Sequence, residues 1–332
     1  MIVLNWNCAE DSIACAKSLL SQEGKAPVVL FVDNASSDDS VKKLEKFCQN
    51  HKSTFLLKNA SNIGFAGGVN TGIRYLLDKK YTYIGFLNPD AIADKRWATE
   101  LVSQLEHYPE AGIATGLLLS RDGSHIDSSG ELYSLWGSAS PRNRGDKVSE
   151  APAKPGFVFG ATGGSVVYRS SLFKKIGLFD EKFFMYYEDV DLSFRAQLAR
   201  LKVRYTPSAI AYHAQGSSAN KVSGLAAYNT FKNLPMLFWK NVPFKLFPKI
   251  APRFFLAYHL ILGNAIYRGK GIPAIKGWVV SLILLPRSLS LRRKVQNSKK
   301  VSTDYINSII LNDIPPDQTG LRKFRKFFTG KA

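Results

Sequence analysis

The chain has 332 residues, 45% hydrophobic and 21% charged, a balance that supports a real core and excludes a disordered chain. With 25 glycines and 15 prolines it is neither collagen-like nor linker-dominated. The net charge of +19 is lopsided: residues 232–332 hold 19 Lys/Arg against 3 Asp/Glu, so a near-neutral first part precedes a cationic tail that calls for an anionic partner. Cys8, Cys15 and Cys48 form no CxxC pattern, which argues against a disulfide framework and fits a reducing cytosol. Met1 to Trp6 is too short, and too poor in basic residues, to act as a signal peptide. No stretch reaches the roughly 18 to 20 continuous apolar residues of a spanning helix.

In chain order, Ile2 to Trp6 reads as a buried strand, and Asp11 is placed to cap a helix running to about Leu20. Val28 to Val32 is a second strand ending at Asp33. Asp38 or Asp39 opens a helix with Val41, Leu44 and Phe47 on one face. Thr54 to Leu57 is a short strand, Gly67 to Leu77 a helix, and Tyr81 to Leu87 a strand that stops at Asn88-Pro89-Asp90. This alternation predicts an α/β fold with a largely parallel sheet. Ligands of such sheets sit beyond the carboxyl ends of the strands. Asn5/Asn7, Asp33/Asn34 and Asn88/Asp90 all lie there and should converge. Residues 121–156 are rich in turn formers and read as a long surface loop, a candidate for acceptor contacts. Phe157 to Tyr168 resumes a strand pattern, Met185 to Leu198 reads as a helix, and Val203 to Tyr205 as a strand. A change of composition near Leu225 marks a boundary.

Several segments carry chemistry. Asp33 is either a carboxylate capping a βα turn or an acceptor for a base N–H or ribose hydroxyl. The run from Asn62 through Gly64 to Asn70 is a Gly-rich loop opening a helix, either a structural turn or a phosphate cradle. It lacks the Gly-Lys-Ser/Thr of a Walker loop and the spacing of a dinucleotide fingerprint. Asp90 at a strand end suits a hard cation whose other ligands come from a diphosphate, or else belongs to a Pro-containing turn. Glu188, Asp189 and Asp191 crowd three carboxylates beside four aromatics, Tyr187 among them. Helix spacing pairs Asp191 with Arg195. Repulsion among the acids can leave one with the raised pKa of a base. His213 is either a structural histidine or a metal ligand.

Taken together, IVLNWN, VDNASSDDS, NIGFAGGVNTGI, FLNPDA and GATGGSVVYRSSLFKKIGLFDEKFFMYYEDVDLSFRA resemble glycosyltransferase family 2, the inverting enzymes of GT-A fold, and its bacterial rhamnosyltransferase-like branch. The resemblance covers roughly residues 1–215. It implies a Rossmann-like, mostly parallel sheet flanked by helices, with a catalytic domain over 1–224. Asp33 would contact the nucleoside base, with Asn5, Asn7 and Asn34 lining the pocket and Asn62, Gly64 and Asn70 in the following loop. Asn88 would sit near ribose or metal, and Asp90 and His213 would bind a divalent ion, Mn²⁺ or Mg²⁺. Asp189 would be the base, with Gly163, Gly164, Tyr187 and Glu188 on the acceptor side. Asn88 stands where many relatives carry Asp, which implies weaker metal binding. Met1 falls almost at the first strand, as expected where a start is assigned late. The implied reaction moves a sugar, rhamnose from a dTDP donor being the expected choice, to a glycan or lipid-linked acceptor in bacterial cell-surface polysaccharide synthesis.

Residues 225–332 read as basic amphipathic helices. Two apolar runs, Phe254 to Leu262 and Trp278 to Leu285, each span about half a bilayer. Lys240, Lys245, Lys249, Arg253, Arg268, Lys270, Lys276, Arg287 and Arg292 to Lys294 surround them, and Trp239, Tyr258 and Trp278 are placed to anchor at headgroups. This predicts a protein on the cytoplasmic face of the membrane, bound to anionic lipid rather than nucleic acid. The alternative is that these helices pack on the catalytic domain or on a second copy in a homo-oligomer. Two rival functions remain: a sugar nucleotidyltransferase, which would want a basic triphosphate loop near the N-terminus, and a degenerate membrane-surface binding protein.

Overall fold

The computed structural model describes residues 1–214 and 222–313. Strands β1 (Ile2–Asn5), β2 (Val29–Asp33), β3 (Thr54–Lys58) and β4 (Tyr83–Leu87) alternate with helices α1 (Ala9–Leu20), α2 (Ser40–Asn50) and α3 (Gly64–Asp78). Val29, Leu30, Phe31 and Val32 are all buried, as an unbroken apolar run must be when helices cover both faces of a parallel sheet. β1 pairs in parallel with β2 and β4, and β2 with β3. The chain continues through β5 (Ala91–Ala93), α4 (Trp97–His107), β6 (Ala111–Ser120), β7 (Ile126–Ser128), β8 (Glu131–Tyr133) and β9 (Ala139–Pro141). Then come β10 (Gly156–Val158), β11 (Ser165–Arg169), α5 (Ser170–Ile176), α6 (Glu188–Leu198) and β12 (Lys202–His213). The main sheet runs β10-β12-β6-β11-β4-β1-β2-β3, with β11 inserted antiparallel between β4 and β6. It is a mostly parallel central sheet flanked by helices. A helical region follows: α7 (Leu225–Asn241), α8 (Phe247–Tyr267), α9 (Gly271–Ile283), α10 (Leu285–Asn297) and α11 (Thr303–Ile309).

Several boundaries differ from the sequence pattern. α1 starts at Ala9, so Asp11 lies in its first turn, where it meets the positive end of the helix dipole rather than capping it. α3 starts at Gly64, not Gly67. The expected strand over Phe157 to Tyr168 splits into β10 and β11. α6 starts at Glu188 rather than Met185, because Phe184, Tyr186 and Tyr187 adopt positive φ. β12 spans 12 residues, since a register shift between Tyr205 and Ile210 absorbs Pro207, which has no N–H to donate.

Residues 121–156 are not the loose surface loop their composition predicts. They carry β7, β8 and β9, and Asp127, Ser128, Ser129, Tyr133 and Leu135 are buried. Several of the buried serines have their hydroxyls satisfied locally: Ser128 Oγ donates to Gly130 O at 2.8 Å, and the Ser134 and Ser138 hydroxyls meet at 2.9 Å, although Ser140 Oγ has no partner among the described residues.

The expected boundary at 224/225 does not divide the core. Phe183, Val190, Phe194 and Leu198 pack in one cluster with Phe231, Leu234, Phe238, Phe254 and Ile306. Tyr258 is buried there, its hydroxyl donating to Phe231 O at 2.7 Å, and Trp239 and Trp278 pack against the same cluster. Tyr258 therefore belongs to the protein interior rather than to a headgroup layer, while Trp239 and Trp278 are half-buried against it. Part of the positive charge also turns inward: Lys240 reaches Asp180 and Asp191 at 3.0 Å, and Arg287 reaches Asp180 at 2.7 Å. Among the described residues no single helix is long and apolar enough to cross a membrane; α9 and α10 qualify only jointly, with a 57° bend between them. The last part of the basic tail, 314–332, lies outside the described residues.

Candidate active site

Two of the three strand-end clusters join directly, and the third, past β4, meets the end of β12. Asn5 closes β1 and donates Nδ2 to Asp33 Oδ1 at the end of β2, at 2.7 Å. Ser36 completes the knot: its hydroxyl donates to Asp33 Oδ1 at 2.6 Å and its backbone N–H to Oδ2 at 3.0 Å. Asn7, at φ 55°, accepts the Ser37 N–H at 2.8 Å. Asn34 ties the neighbouring loop down, donating to Asn62 Oδ1 at 2.9 Å and Gly64 O at 3.1 Å. Asn70 serves a different end. It donates to Phe179 O at 2.9 Å and accepts the Phe179 N–H at 3.1 Å, clasping the segment that leads to the acidic cluster.

Past β4, Asn88 and Asp90 meet His213 from the end of β12. His213 Nε2 lies 3.0 Å from Asp90 Oδ1 and 3.2 Å from Asn88 Nδ2. Its Nδ1 lies 2.7 Å from Asp127 Oδ2, and Asp127 Oδ1 takes a 2.8 Å ion pair from Arg144. Burial works against an imidazolium here, but hydrogen bonds and charge from Asp127 and Asp90 outweigh it and raise the ring to about 9. One carboxylate oxygen and one imidazole nitrogen, the ring oriented by a second carboxylate, is the donor chemistry of a metal-binding histidine. Among the described residues no group of three or more His, Cys, Asp or Glu side chains is arranged to hold a metal alone. The set therefore fits an ion that completes its shell with phosphate oxygens and water.

Gly163 and Gly164 bridge this cluster to Asp189. The Gly163 N–H donates to Asp189 Oδ2 at 2.8 Å, and Gly164 O accepts the Asn88 N–H at 2.9 Å. A side chain at Gly164 would crowd Asn88 Nδ2 at 2.9 Å, so glycine lets the two cluster residues approach. Asp189, at the start of α6, is half-buried and also accepts the Val190 N–H at 2.8 Å. Burial lifts its carboxyl above the usual range and these N–H groups only partly offset that. Glu188 turns inward: burial first, then the charge of Asp189, pushes it well up, and its Oε2 has no hydrogen-bond partner. Asp191 leaves the cluster altogether. It is buried on the far side of α6, paired with Arg195 at 2.9 Å and with Lys240, and accepts from Asn241 at 2.8 Å.

The approach to Glu188 is strained. Phe184 sits at φ 65° and ψ −65°, and the Met185 N–H closes onto Phe183 O at 2.8 Å, which makes a γ-turn of the rare form. Tyr186 and Tyr187 follow at φ 71° and 69°. Non-glycine residues in such conformations cost about 1–3 kcal/mol each and persist only where the surroundings impose them. One such restraint is α3: the Ala66 N–H donates to Phe184 O at 3.1 Å, and Gly64 lacks the Cβ that would collide with that carbonyl. At least this N–H of the helix terminus thus serves polypeptide rather than phosphate. Ser36 sits within the VDNASSDDS turn, but Asp127, Arg144, Lys232 and Asn233 are residues that no local pattern marked. They reach the site from loops and a helix distant in sequence, and only Asp127, one acid among turn formers, offered even a compositional hint.

A doubly covered sheet with polar groups at its carboxyl edge, a carboxylate–histidine pair and a half-buried aspartate describe a ligand site at the strand ends. The family model for glycosyl transferase family 2 matches residues 1–177. The chain is 30% identical over 241 residues to the low-salt glycan biosynthesis hexosyltransferase Agl10 of Haloferax volcanii, covering 70% of this chain and 73% of that one. It is 28% identical over 235 residues to the N-acetylglucosaminyl-diphospho-decaprenol L-rhamnosyltransferase of Mycobacterium tuberculosis, covering 63% and 75%. Its fold is that of the mannosyltransferase PcManGT from Pyrobaculum calidifontis, solved with GDP-Man and Mn²⁺, at a TM-score of 0.53 and 15% identity over 90% of this chain and 84% of that one. GalNAc-T7, solved with UDP, GalNAc and Mn²⁺, gives 0.64 at 13% identity, over 93% and 56%. The chain belongs to glycosyltransferase family 2, and its fold is GT-A.

Proposed function

We propose that the protein transfers a hexose, with L-rhamnose from a dTDP-linked donor as the first candidate, to a glycan or lipid-linked acceptor, inverting the anomeric carbon. The observation that carries this is the Gly163-Gly164 bridge, which sets a half-buried, proton-accepting Asp189 beside the Asp90–His213 pair. The likeness to an L-rhamnosyltransferase acting on a diphospho-decaprenol substrate supports the choice of sugar and of a lipid-linked acceptor.

Asp189 takes the proton of the acceptor hydroxyl as that oxygen attacks the anomeric carbon. The bond to the nucleoside diphosphate breaks on the opposite face, and its electron pair leaves with the phosphate oxygen. A placed base of this kind is worth about 10²–10⁴-fold in rate, and its raised proton affinity suits the task. Asp33 and Asn5, with Asn7, Asn34 and Asn88, line the nucleoside side. Asp90 and His213 would hold Mn²⁺ or Mg²⁺, which when bound neutralises charge on the departing diphosphate.

The test is calorimetric titration with dTDP, UDP and GDP, each with and without Mn²⁺. We expect one nucleotide to bind, more tightly with metal, and the metal enhancement to vanish in Asp90→Ala. A folded protein that binds none of them would favour the degenerate membrane-binding reading instead.

We also propose that α8 and α9 dock on the anionic cytoplasmic face of a membrane. Phe244, Tyr267, Ile272 and Ile283 are 69–90% exposed, and Lys245, Arg268, Lys270 and Lys276 are exposed among them. At the α8–α9 turn, exposed Tyr267 and Ile272 lie in the same stretch of chain as exposed Arg268 and Lys270, a combination that suits an interfacial layer of anionic lipid. Truncation at 235 cannot test this, since it removes the shared core. The variant Tyr267→Ser/Ile272→Ser should co-sediment less with phosphatidylglycerol vesicles; pelleting equal to that of the parent protein would remove this surface from the role.

A further inference from the structure

The loop that presents Asp189 is held from behind by a helix of the C-terminal region. Asn233 of α7 is fully buried, and its Nδ2 donates to three carbonyls of that loop: Phe183 at 3.0 Å, Met185 at 2.9 Å and Tyr186 at 2.8 Å. Three acceptors share two hydrogens, while the Oδ1 of the same amide has no partner. The side chain is thus committed to the loop rather than to its own satisfaction. Lys232, one residue earlier, adds a 3.2 Å bond to Phe183 O. The carbonyls it gathers come from the γ-turn and from left-handed Tyr186, the part of the chain least able to hold its shape alone. The opposite side of the loop is pinned by α3 through Phe184 O.

We propose that Asn233 is a positioning residue for Asp189: α7 fixes the strained 183–187 loop and so sets where the base meets the acceptor hydroxyl. This rests on Asp189 as the base. Misplacing a reacting group by about 1 Å costs on the order of 10²-fold, and partial release of the loop should cost less.

Two readouts test it on the full chain. In Asn233→Ala, hydrogen exchange of the backbone amides of residues 184–190 should quicken while the strands β1, β2 and β4 keep their protection. Turnover with water as acceptor, followed as nucleoside diphosphate released from dTDP-rhamnose, should fall about 10- to 100-fold with dTDP affinity unchanged. Asn233→Ser, which keeps one donor, should fall in between. Unchanged exchange at 184–190, or full turnover in a variant whose Asp189→Asn counterpart is inactive, overturns the positioning role. Collapse of both variants, with Asn229→Ala one turn earlier still folded, overturns it too, because the tie would then serve the fold at large. If Asp189→Asn itself keeps turnover, the base assignment fails independently of the loop's exchange behaviour.

Discussion

On the proposed nucleotide side of the cleft the polar side chains satisfy one another, whereas on the Asp189 side several do not. Asn5, Asp33 and Ser36 form a closed knot at two adjacent strand ends, and Asn34 with Asn62 extends it. Across the cleft Glu188 Oε2, Tyr168 OH and Asn233 Oδ1 are buried without partners, and Phe184, Tyr186 and Tyr187 hold positive φ. The first arrangement is built from residues close to the strand ends and needs little help. The second sets a carboxylate in a low-polarity setting, on a strained loop whose backbone α3 and α7 grip. Preorganisation on one side comes from saturation, and on the other from external restraint.

That contrast makes unequal predictions. The largest effect falls on chemistry: Asp189→Asn should lower transfer by about 10²–10⁴-fold in steady-state assays while leaving nucleotide affinity in calorimetry unchanged. Equal losses in both would mean the two sides are not separable. Next, Lys240→Met strips a buried partner from Asp180 and Asp191 and should destabilise the protein by about 3–5 kcal/mol, read from urea unfolding. A loss under about 1 kcal/mol would show that the Lys240 ion pairs contribute little to the hold of α7 on α6.

The same pair sets an acid limit. Burial alone would raise Asp180 and Asp191, but Lys240 with Arg287 or Arg195 holds both below the ordinary value of 3.8. Their stabilisation is present above that value and is lost as pH falls below it, because the unfolded chain then binds protons the folded one refuses. Glu188, lifted by burial, has the opposite sign, its contribution fading as pH rises above its ordinary 4.5. The fall in urea midpoint below about pH 4 should therefore be shallower in Lys240→Met than in the parent. An identical slope would remove the pair from acid stability.

Smaller effects probe the knot. Asp33→Ala leaves the Asn5 amide and Ser36 hydroxyl without their acceptor and should cost about 1–3 kcal/mol in stability, with weaker nucleotide binding. Unchanged binding would take Asp33 out of the base-recognition role. Gly64→Ala, at φ 75° and facing Phe184 O, should cost at least about 1 kcal/mol. It should slow transfer more than it weakens nucleotide binding, since the carbonyl it displaces belongs to the Asp189 side.

Much of the sheet and of the nucleotide side was legible in the sequence. Short apolar runs ending in Asn or Asp mark parallel strands and the edge where ligands gather, because strand period and helix cover act locally and the βα order dictates which ends coincide. That Asn5 and Asp33 close their strands, and that Asn88 and Asp90 follow the end of β4, was legible in that way. The pairing of Asp191 with Arg195 also followed from helix spacing alone. What composition hid was decided by packing. Serines at 128, 134 and 138 look like loop residues until local hydrogen bonds let them be buried. Tyr258 looks like a headgroup anchor until a shared core claims it. Asp127 behind His213, and Lys232 and Asn233 behind the acidic loop, act across separations of 86, 49 and 50 residues. No local propensity encodes such contacts. They exist because burying apolar surface brings distant segments together, and the strained loop before Asp189 holds its shape only once that has happened.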